Sequence, residues 1–452
     1  MSVQKTFQKL IELIRKRDEK IKDFLENMHP SDLAELVEDL NDRQKQEFFA
    51  LLSDEDAADI IQEMEEYDQV TLFRLLTRKR ASAILKEMAS DDAVDLLGEL
   101  TEDESRELLN LLKEEAAEFR GLLQYPEDSA GGLMTTEFTA LPFTLNVEGA
   151  IKRLREIAPE AETIYYVYVV DEQERLTGVV SLRELIASQD HMLVKDIMRK
   201  NVISVDVNLD QEEVARVVSK YDLLAVPVVD EEQRLLGIVT VDDILDVVEE
   251  EATEDIYKLV GTSEVEGADL IGATAFNMAG RRLPWLIISL LGGLVTGSVI
   301  GIFEVSIQEV FELAIFIPVI MDMGGNVGAQ SSTVFVRGLA TGEIEPTEVW
   351  RYFFREVRIG ITMGLVTGTL IALAATFWQP AIQNLGLVVG LAMCTTVILA
   401  AVIGTLIPML FNNWGIDPAI TAGPFVTSIK DVTGLLIYFL VANFLMGLPS
   451  PF

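Results

Sequence analysis

The amino-acid sequence predicts a multidomain protein in four parts: an α-helical solenoid-like N-terminal domain, a duplicated α/β module, a long acidic connecting helix and an all-α membrane domain with five transmembrane helices. Three patterns predict this order. Apolar residues recur every twelve positions near the N-terminus, one motif of the middle region occurs twice, and long apolar stretches fill the C-terminal part. We expect the four parts to span residues 1–124, 125–247, 248–276 and 277–452.

The charge of the chain is unevenly distributed. The formal net charge is −37, and residues 268–452 contain only 7 Lys and Arg against 11 Asp and Glu. Residues 1–267 therefore carry nearly all of the negative excess, which argues against a nucleic-acid partner. It favours cations or basic partners, with an acidic soluble surface as the alternative. A single cysteine, Cys394, allows no intramolecular disulfide, and the N-terminus has no apolar signal-peptide core.

The first region predicts short helices that repeat every twelve residues. Two apolar ladders lie four residues apart, which is the spacing of one helix face. Helices this short cannot stand alone, so we expect them to stack into a small α-solenoid. The ladders are Leu36, Phe48, Ile60, Leu72, Ile84, Leu96 and Leu108, and Leu40, Leu52, Met64, Leu76, Met88, Leu100 and Leu112.

The second region is an internal duplication. VVDEQERLTGVVSLREL (169–185) is similar to VVDEEQRLLGIVTVDDIL (228–245), 59 residues later. Each unit predicts a short strand, a helix, two strands joined by an acidic turn, and a closing helix. The pair resembles cystathionine-β-synthase-type (CBS) repeats over roughly residues 133–247. In that family a G-h-h-T-x-x-D stretch can hold an adenine nucleotide such as ATP; here Gly237, Thr240 and Asp243 match it. The same residues also suit an ordinary turn and helix cap.

The connecting segment is the most acidic part of the chain. Residues 242–255 read DDILDVVEEEATED, which places eight carboxylates in fourteen positions without a basic residue. Like charges one turn apart destabilise a helix, so we expect a divalent cation to offset the repulsion. We interpret the run as a hinge, whose first part closes the second repeat and whose second part opens the connecting helix.

The last region predicts five membrane spans. Each apolar stretch is long enough to cross about 30 Å of hydrocarbon. Arginines precede the first stretch and separate the second from the third, so the positive-inside rule places the N-terminus in the cytoplasm and the C-terminus outside the cell membrane. The stretches are residues 283–303, about 313–336, 359–378, 385–411 and about 419–447.

Two acidic residues fall inside these stretches. A charge at the bilayer centre costs about 3 kcal/mol, so we predict that Asp431 faces an ion path, with pairing to another helix as the alternative. Asp322 lies in PVIMDMGGNVGAQSS (318–332), where we expect glycines to interrupt the helix beside a polar cavity. Oxygen donors without Cys or His clusters suit a hard cation such as Mg²⁺ or Ca²⁺. The glycines are Gly324, Gly325 and Gly328.

With PVIMDMGGNVGAQSS and SIKDVTGLLIYF (428–439), this order of domains closely resembles the MgtE family of magnesium transporters over essentially the whole chain. The resemblance implies a homodimer in which Asp431 binds hydrated Mg²⁺ in the pore and Asn326 lines the same path. It also implies a cytoplasmic sensor, in which Mg²⁺ holds the N-terminal domain, the CBS module and the connecting "plug" helix in a closed state. The matching acids are Asp59, Asp91 and Asp95 in the N-terminal domain, Glu212, Asp222, Asp243 and Asp246 in the CBS module, and Glu251, Glu254 and Asp255 on the plug.

We therefore expect a Mg²⁺ channel or transporter that cytoplasmic Mg²⁺ closes, rather than an enzyme. The sequence contains no Walker loop, no G-x-S-x-G and no H-E-x-x-H motif. A CBS-regulated path for Co²⁺, Mn²⁺ or Ca²⁺ is the alternative. An anion channel should have basic spans, and a scaffold protein would not need five spans with intramembrane acids.

Overall fold

The computed structural model describes residues 3–16, 21–25, 28–113, 115–157, 161–262, 275–344 and 347–449. These residues form two compact units. The first contains the described residues up to Glu249, and the second contains those from Glu250 onward.

The N-terminal part of the first unit is a stack of short helices. From α3 to α9, each helix begins twelve residues after the one before it, and α3 to α7 each contact the next helix but one. The ladder residues are buried, apart from a partly buried Leu76, so the predicted solenoid-like stack is confirmed. Polar breaks cap α4, α5, α7 and α9, as Ser53 does for α5. The helices are α1 Val3–Lys16, α2 Ile21–Leu25, α3 Pro30–Glu38, α4 Asp42–Phe49, α5 Asp54–Gln62, α6 Glu66–Leu75, α7 Arg78–Leu85, α8 Ser90–Glu99, α9 Glu102–Leu112 and α10 Ala116–Leu122.

The duplicated module contains two matching three-stranded sheets, β1-β2-β3 and β4-β5-β6. In each sheet the first two strands are parallel and the last two are antiparallel. The acidic turns also match, since Glu174 and Gln233 adopt the same left-handed conformation at φ 61° and 62°. The elements are β1 Ala140–Pro142, α11 Val147–Ile157, β2 Tyr166–Val170, β3 Leu176–Ser181, α12 Leu182–Ala187, α13 Val194–Ile197, β4 Val205–Asp206, α14 Gln211–Tyr221, β5 Ala225–Val229, β6 Leu235–Thr240 and α15 Val241–Leu259.

The acidic run lies on one continuous helix. Helix α15 begins at Val241, directly after β6, and ends at Leu259. It therefore carries both the acids predicted to close the second repeat and those predicted to open the plug. Part of the predicted connecting segment, residues 263–274, lies outside the described residues.

The second unit contains five described helices that are long and apolar enough to span a membrane, α16, α18, α19, α20 and α22. Helix α20 packs against α18, α19 and α22. Glycines permit the close approach of α19 and α20: a Cβ atom on Gly364 would lie 2.7 Å from the Cys394 carbonyl oxygen. The helices are α16 Ala275–Ile302, α17 Glu304–Glu309, α18 Glu312–Ala340, α19 Val349–Trp378, α20 Leu385–Asn413, α21 Ala419–Ala422 and α22 Pro424–Met446.

The predicted interruption of the second span is wrong. Helix α18 is continuous from Glu312 to Ala340. Its glycines serve close packing instead, because a Cβ atom on Gly324 would meet the Thr396 methyl group at 3.2 Å, and one on Gly328 would collide with the Lys430 side chain. The helix pattern alone cannot distinguish a glycine that breaks a helix from one that admits a neighbour.

Candidate regulatory acids and candidate ion path

Four aspartates of the first unit meet where α8 and α15 begin; we call Asp91, Asp92, Asp95 and Asp243 the α8–α15 acidic cluster. Ser90 fixes the start of α8 on the α/β module: its Oγ accepts a hydrogen bond from the Thr136 backbone N–H at 2.9 Å and lies 3.1 Å from Thr135 Oγ1. The solenoid and the second repeat also pack against each other through one continuous hydrophobic core. The fold thus places Asp243 of α15 beside the three aspartates of α8, from which it is far apart in the sequence.

Burial and mutual repulsion raise the pKa values of the cluster. Asp91 is 8% exposed, and its burial together with the Asp243 charge raises its pKa well above 3.8. Burial is also the main cause that raises the pKa of Asp92 and of Asp243 to about 6. Reduced hydration, followed by the charges of Asp92 and Glu66, raises the pKa of Asp95 to about 8, although this residue is exposed to solvent, unlike the buried Asp91.

The cluster receives little compensation from the protein. Gln62 donates a hydrogen bond to Asp92, and the Thr240 hydroxyl donates one to Asp243 Oδ2 at 2.6 Å. Among the described residues, no Lys or Arg forms an ion pair with the four aspartates. The described part of the chain also holds no group of three or more His, Cys, Asp or Glu side chains already arranged to hold a metal ion. Carboxylates that repel one another without a basic partner can bind a divalent cation through its hydration shell.

Two further predicted sensor residues border the cluster. Asp59 is exposed on α5, and Asp246 is exposed on α15. Reduced hydration is the main cause that raises the pKa of each, and the charge of Glu63 raises both further. Glu63, which caps α5 and accepts a hydrogen bond from Ser31 Oγ at 2.5 Å, also raises the pKa of Asp92. The border of the cluster therefore extends from α5 to α15.

The structure does not bring the other two predicted acids of the CBS module into the cluster. Glu212 lies on α14 and pairs with Arg216 at 2.8 Å. Asp222 is exposed at the end of the same helix, in a left-handed conformation at φ 51°. Neither is among the charges that raise the pKa values of the cluster.

The nucleotide-motif residues form a compact turn and cap. Gly237 lies on β6, where a Cβ atom would meet the Thr135 carbonyl oxygen at 2.7 Å. The Thr240 backbone N–H also donates to Asp243, at 3.2 Å. The first repeat builds the same cap from Ser181 and Glu184, but there Arg199 pairs with the carboxylate at 2.9 Å. Asp243 has no such basic partner in the part of the chain that the structure describes, which distinguishes the second repeat electrostatically from the first.

The plug acids belong to the second unit. Lys258 forms ion pairs with Glu254 and with Asp417, the latter at 2.7 Å. Although burial opposes the charge of Lys258, these two pairs raise its pKa. Burial, followed by the charge of Asp417, raises the pKa of Asp255 to about 6. Glu251 is half-buried one turn before Asp255. Asp417, in the loop after α20, thus joins the plug end of α15 to the membrane helices, and sequence reasoning missed it.

The half-buried Asp431 lies at the meeting point of three membrane helices. It lines a narrow crevice with Lys430 on α22, Gly324 on α18 and Thr396 on α20. Asn326 is not in this lining; it lies on an exposed face of α18, where its Nδ2 atom donates to Asp322 Oδ2 at 3.3 Å. A single chain therefore does not bring Asn326 and Asp431 into one site.

Two buried polar residues of the membrane helices, one on α20 and one on α19, were also missed from the sequence. The Thr396 hydroxyl in the crevice is buried and has no hydrogen-bond partner among the described residues. Glu356, 7% exposed, accepts a hydrogen bond from Ser331 Oγ at 2.7 Å. Glu356 escaped notice because α19 begins ten residues before the predicted uncharged stretch.

Comparison with known proteins finds family resemblance along most of the chain. The model of the MgtE divalent cation transporter matches residues 317–441, that of the MgtE intracellular N domain matches residues 28–128, and that of the CBS domain matches residues 130–190 and 194–250. These matches follow the solenoid, the two repeats and the membrane helices in order.

Curated and solved relatives agree with this arrangement. Magnesium transporter MgtE of Enterococcus faecalis is 44% identical over 333 residues, which cover 74% of this chain and 72% of the relative. Its counterpart in Thermus thermophilus is 44% identical over 334 residues, which cover 73% of each chain. A solved cytosolic domain of the Mg²⁺ channel MgtE in complex with ATP is 42% identical, with a TM-score of 0.50, and covers 53% of this chain and 98% of its own. This chain belongs to the MgtE family of magnesium transporters.

Proposed function

We propose that the chain forms a homodimeric channel or transporter for Mg²⁺ in the cell membrane and that cytoplasmic Mg²⁺ closes it. The observation that carries this proposal is the pairing of two features in one chain of this family. An unpaired cluster of aspartates lies in the first unit, and a half-buried acid lies among three apolar helices in the second. We also propose the four domains as predicted, with the N-terminus in the cytoplasm and the C-terminus outside.

Asp431 is the proposed binding group of the path. A single carboxylate suits Mg²⁺ that keeps most of its water, because this ion dehydrates reluctantly. In this proposal Asn326, exposed on α18, lines the path that the two chains of the dimer form together. The Thr396 hydroxyl oxygen is a further candidate acceptor of a hydrogen bond from the water of a hydrated ion, because it lines the Asp431 crevice without a partner among the described residues.

The acidic cluster is the proposed sensor core. Its carboxylates disfavour the docked arrangement of solenoid and CBS module when they are ionised, as their raised pKa values indicate. A bound divalent cation would reverse that penalty, so Mg²⁺ shifts the equilibrium toward the docked state. We place Asp59 and Asp246 at the border of this site, and Glu212 and Asp222 at a separate site of the same module.

The plug acids are the proposed link between sensor and path. Glu251, Glu254 and Asp255 follow the sensor residues on α15, and Asp417 faces this end of the helix. Asp255 and Asp417 repel each other, so a divalent cation between them would hold the plug end against the membrane helices. At low cytoplasmic Mg²⁺ the same repulsion would release it.

Adenine nucleotide is a proposed second ligand of the CBS module. The ATP complex of a relative's cytosolic domain supports this, and Gly237, Thr240 and Asp243 are the matching residues. The Thr240 hydroxyl and the Asp243 carboxylate would exchange their mutual hydrogen bond for bonds to the ribose.

A path for another divalent cation is the second candidate, because the matching membrane model is described as a divalent cation transporter without naming one ion. The test is ion flux into proteoliposomes that contain the full-length chain, with Mg²⁺ competing against Co²⁺, Mn²⁺ and Ca²⁺. We expect Mg²⁺ flux that Asp431→Ala abolishes while the dimer remains folded. Wild-type flux in Asp431→Ala would exclude the proposed path, and preferred uptake of another ion would establish the second candidate.

A further inference from the structure

We propose that Lys430 is a fixed positive charge that weakens the binding of divalent cations at Asp431 and so speeds their release. This inference rests on the proposed role of Asp431 in the path. Lys430 directly precedes Asp431 on α22, and both line the same crevice. Only 3% of Lys430 is exposed. Charged residues inside membrane helices are costly and mark ion pathways.

The side chain of Lys430 is held by the glycines of α18. Its Nζ atom donates a hydrogen bond to the Gly325 carbonyl oxygen at 2.8 Å. Its aliphatic stem occupies the space that a side chain on Gly328 would fill, since a Cβ atom there would collide with Cδ and lie 2.9 Å from Nζ. Lysines in membrane helices usually extend toward the interface, whereas this one folds back onto α18. The ammonium group is therefore fixed beside the crevice.

A fixed ammonium beside Asp431 acts more strongly on a divalent than on a monovalent ion, because Coulomb energy scales with the charge of the ion. Conduction requires a site that binds an ion well enough to admit it and weakly enough to let it leave. The Lys430 charge lowers the affinity that Asp431 alone would have. Without it, Mg²⁺ should bind more tightly and leave more slowly.

The test is Mg²⁺ flux into proteoliposomes against Mg²⁺ concentration, with full-length wild type, Lys430→Met and Lys430→Arg. Lys430→Met keeps a long stem and removes the charge, so we expect the half-saturating Mg²⁺ concentration to fall at least threefold and the maximal flux to fall as well. Lys430→Arg keeps the charge and should stay within twofold of wild type. An unchanged half-saturating concentration in Lys430→Met would overturn the proposal, because a purely structural role alters only the amount of active protein.

A second variant covers the case in which Lys430→Met does not fold. Gly328→Ala displaces the lysine stem and its ammonium from α18, so the half-saturating Mg²⁺ concentration should shift. Gly297→Ala is the control, because the added atom on α16 has nothing within 4 Å, and it should leave the half-saturating concentration unchanged. No shift in Gly328→Ala would contradict the proposal. Asp431→Ala separates the two hypotheses. If Asp431→Ala retains Mg²⁺ flux, the proposed path is refuted. If Asp431→Ala loses flux but Lys430→Met and Gly328→Ala both keep the wild-type half-saturating Mg²⁺ concentration, only the role of Lys430 is refuted.

Discussion

Removing the charge of Asp243 should favour the docked state of the first unit without Mg²⁺. Burial is the main cause that raises the pKa of this carboxylate from 3.8 to about 6. At about 1.4 kcal/mol per pKa unit, and with the whole shift counted as arising on docking, ionised Asp243 costs the docked state at most about 3 kcal/mol above pH 6. Asp243→Asn removes this cost and keeps an oxygen that accepts the Thr240 hydrogen bond. We therefore expect the equilibrium to shift toward docking, by up to roughly 150-fold.

The assay is limited proteolysis of the full-length protein with and without Mg²⁺. Wild-type solenoid and CBS segments should be cleaved quickly without Mg²⁺ and slowly with it, whereas Asp243→Asn should be cleaved slowly in both. Glu184→Gln in the first repeat is the matched control, because hydrogen bonds from Ser181 and the pairing with Arg199 lower the pKa of that carboxyl. Glu184→Gln removes the favourable pairing of the Glu184 carboxylate with Arg199, so this variant should not be cleaved more slowly than wild type. Equal cleavage of wild type and Asp243→Asn without Mg²⁺ would refute the reasoning.

Three further predictions test other parts of the structure. The pKa values of the α8–α15 acidic cluster are raised, to about 6 for two members and about 8 for a third, so the docked state is favoured when protons are bound; this contribution is fully present below about pH 4 and is lost as pH rises through 6 to 8. Mg²⁺-free protein should therefore become resistant to protease on acidification. Equal cleavage at about pH 8.5 and at about pH 5 would contradict this prediction. Lys258→Met removes two ion pairs of the plug end, together worth about 1 kcal/mol. Closure in flux assays should then require roughly fivefold more cytoplasmic Mg²⁺, and an unaltered requirement would show that these ion pairs do not hold the plug end in the closed state. Gly404→Ala places a Cβ atom 2.5 Å from the Gly328 carbonyl oxygen and should destabilise the membrane helices by about 1–3 kcal/mol. The Tm in detergent should therefore be lower for Gly404→Ala than for the control Gly297→Ala. Equal Tm values would show that α18 and α20 can separate without cost.

The helical architecture could be predicted from the sequence because its signals are local. The twelve-residue ladders indicate the helix starts from Pro30 to Glu102, and several of the polar breaks supply a cap, such as Asn41 or Thr101, although α6 and α8 begin without a side-chain cap. The duplicated motif likewise gives both small sheets. Each of these features depends on periodicity and turn chemistry within a few residues.

The geometry of the acidic cluster could not be predicted from spacing. Asp92 is not among the acids predicted from the sequence, and only the docking of α8 on the second repeat brings it near Asp243. Glu162, an exposed residue before β2, joins the same group because the Asp242 and Asp243 charges, after reduced hydration, raise its pKa. Such contacts depend on the tertiary packing of distant segments.

The membrane helices show the same limit. Composition identified Asp431 as an intramembrane acid, but it could not show that Gly328 makes room for the Lys430 side chain, because that contact joins two different helices. Asp417 was missed because it follows the uncharged stretch of the fourth span in a loop, and its pairing with Lys258 depends on where the plug end of α15 packs.

The most direct test of the proposed function is current through the reconstituted full-length protein while free Mg²⁺ at the cytoplasmic face is varied. We predict Mg²⁺ current at micromolar cytoplasmic Mg²⁺ that falls steeply as the concentration rises into the millimolar range, because several weak sites act together. A Mg²⁺ current that does not respond to cytoplasmic Mg²⁺ would contradict the proposed sensor, and the absence of both Mg²⁺ current and Mg²⁺ flux would contradict the proposed path.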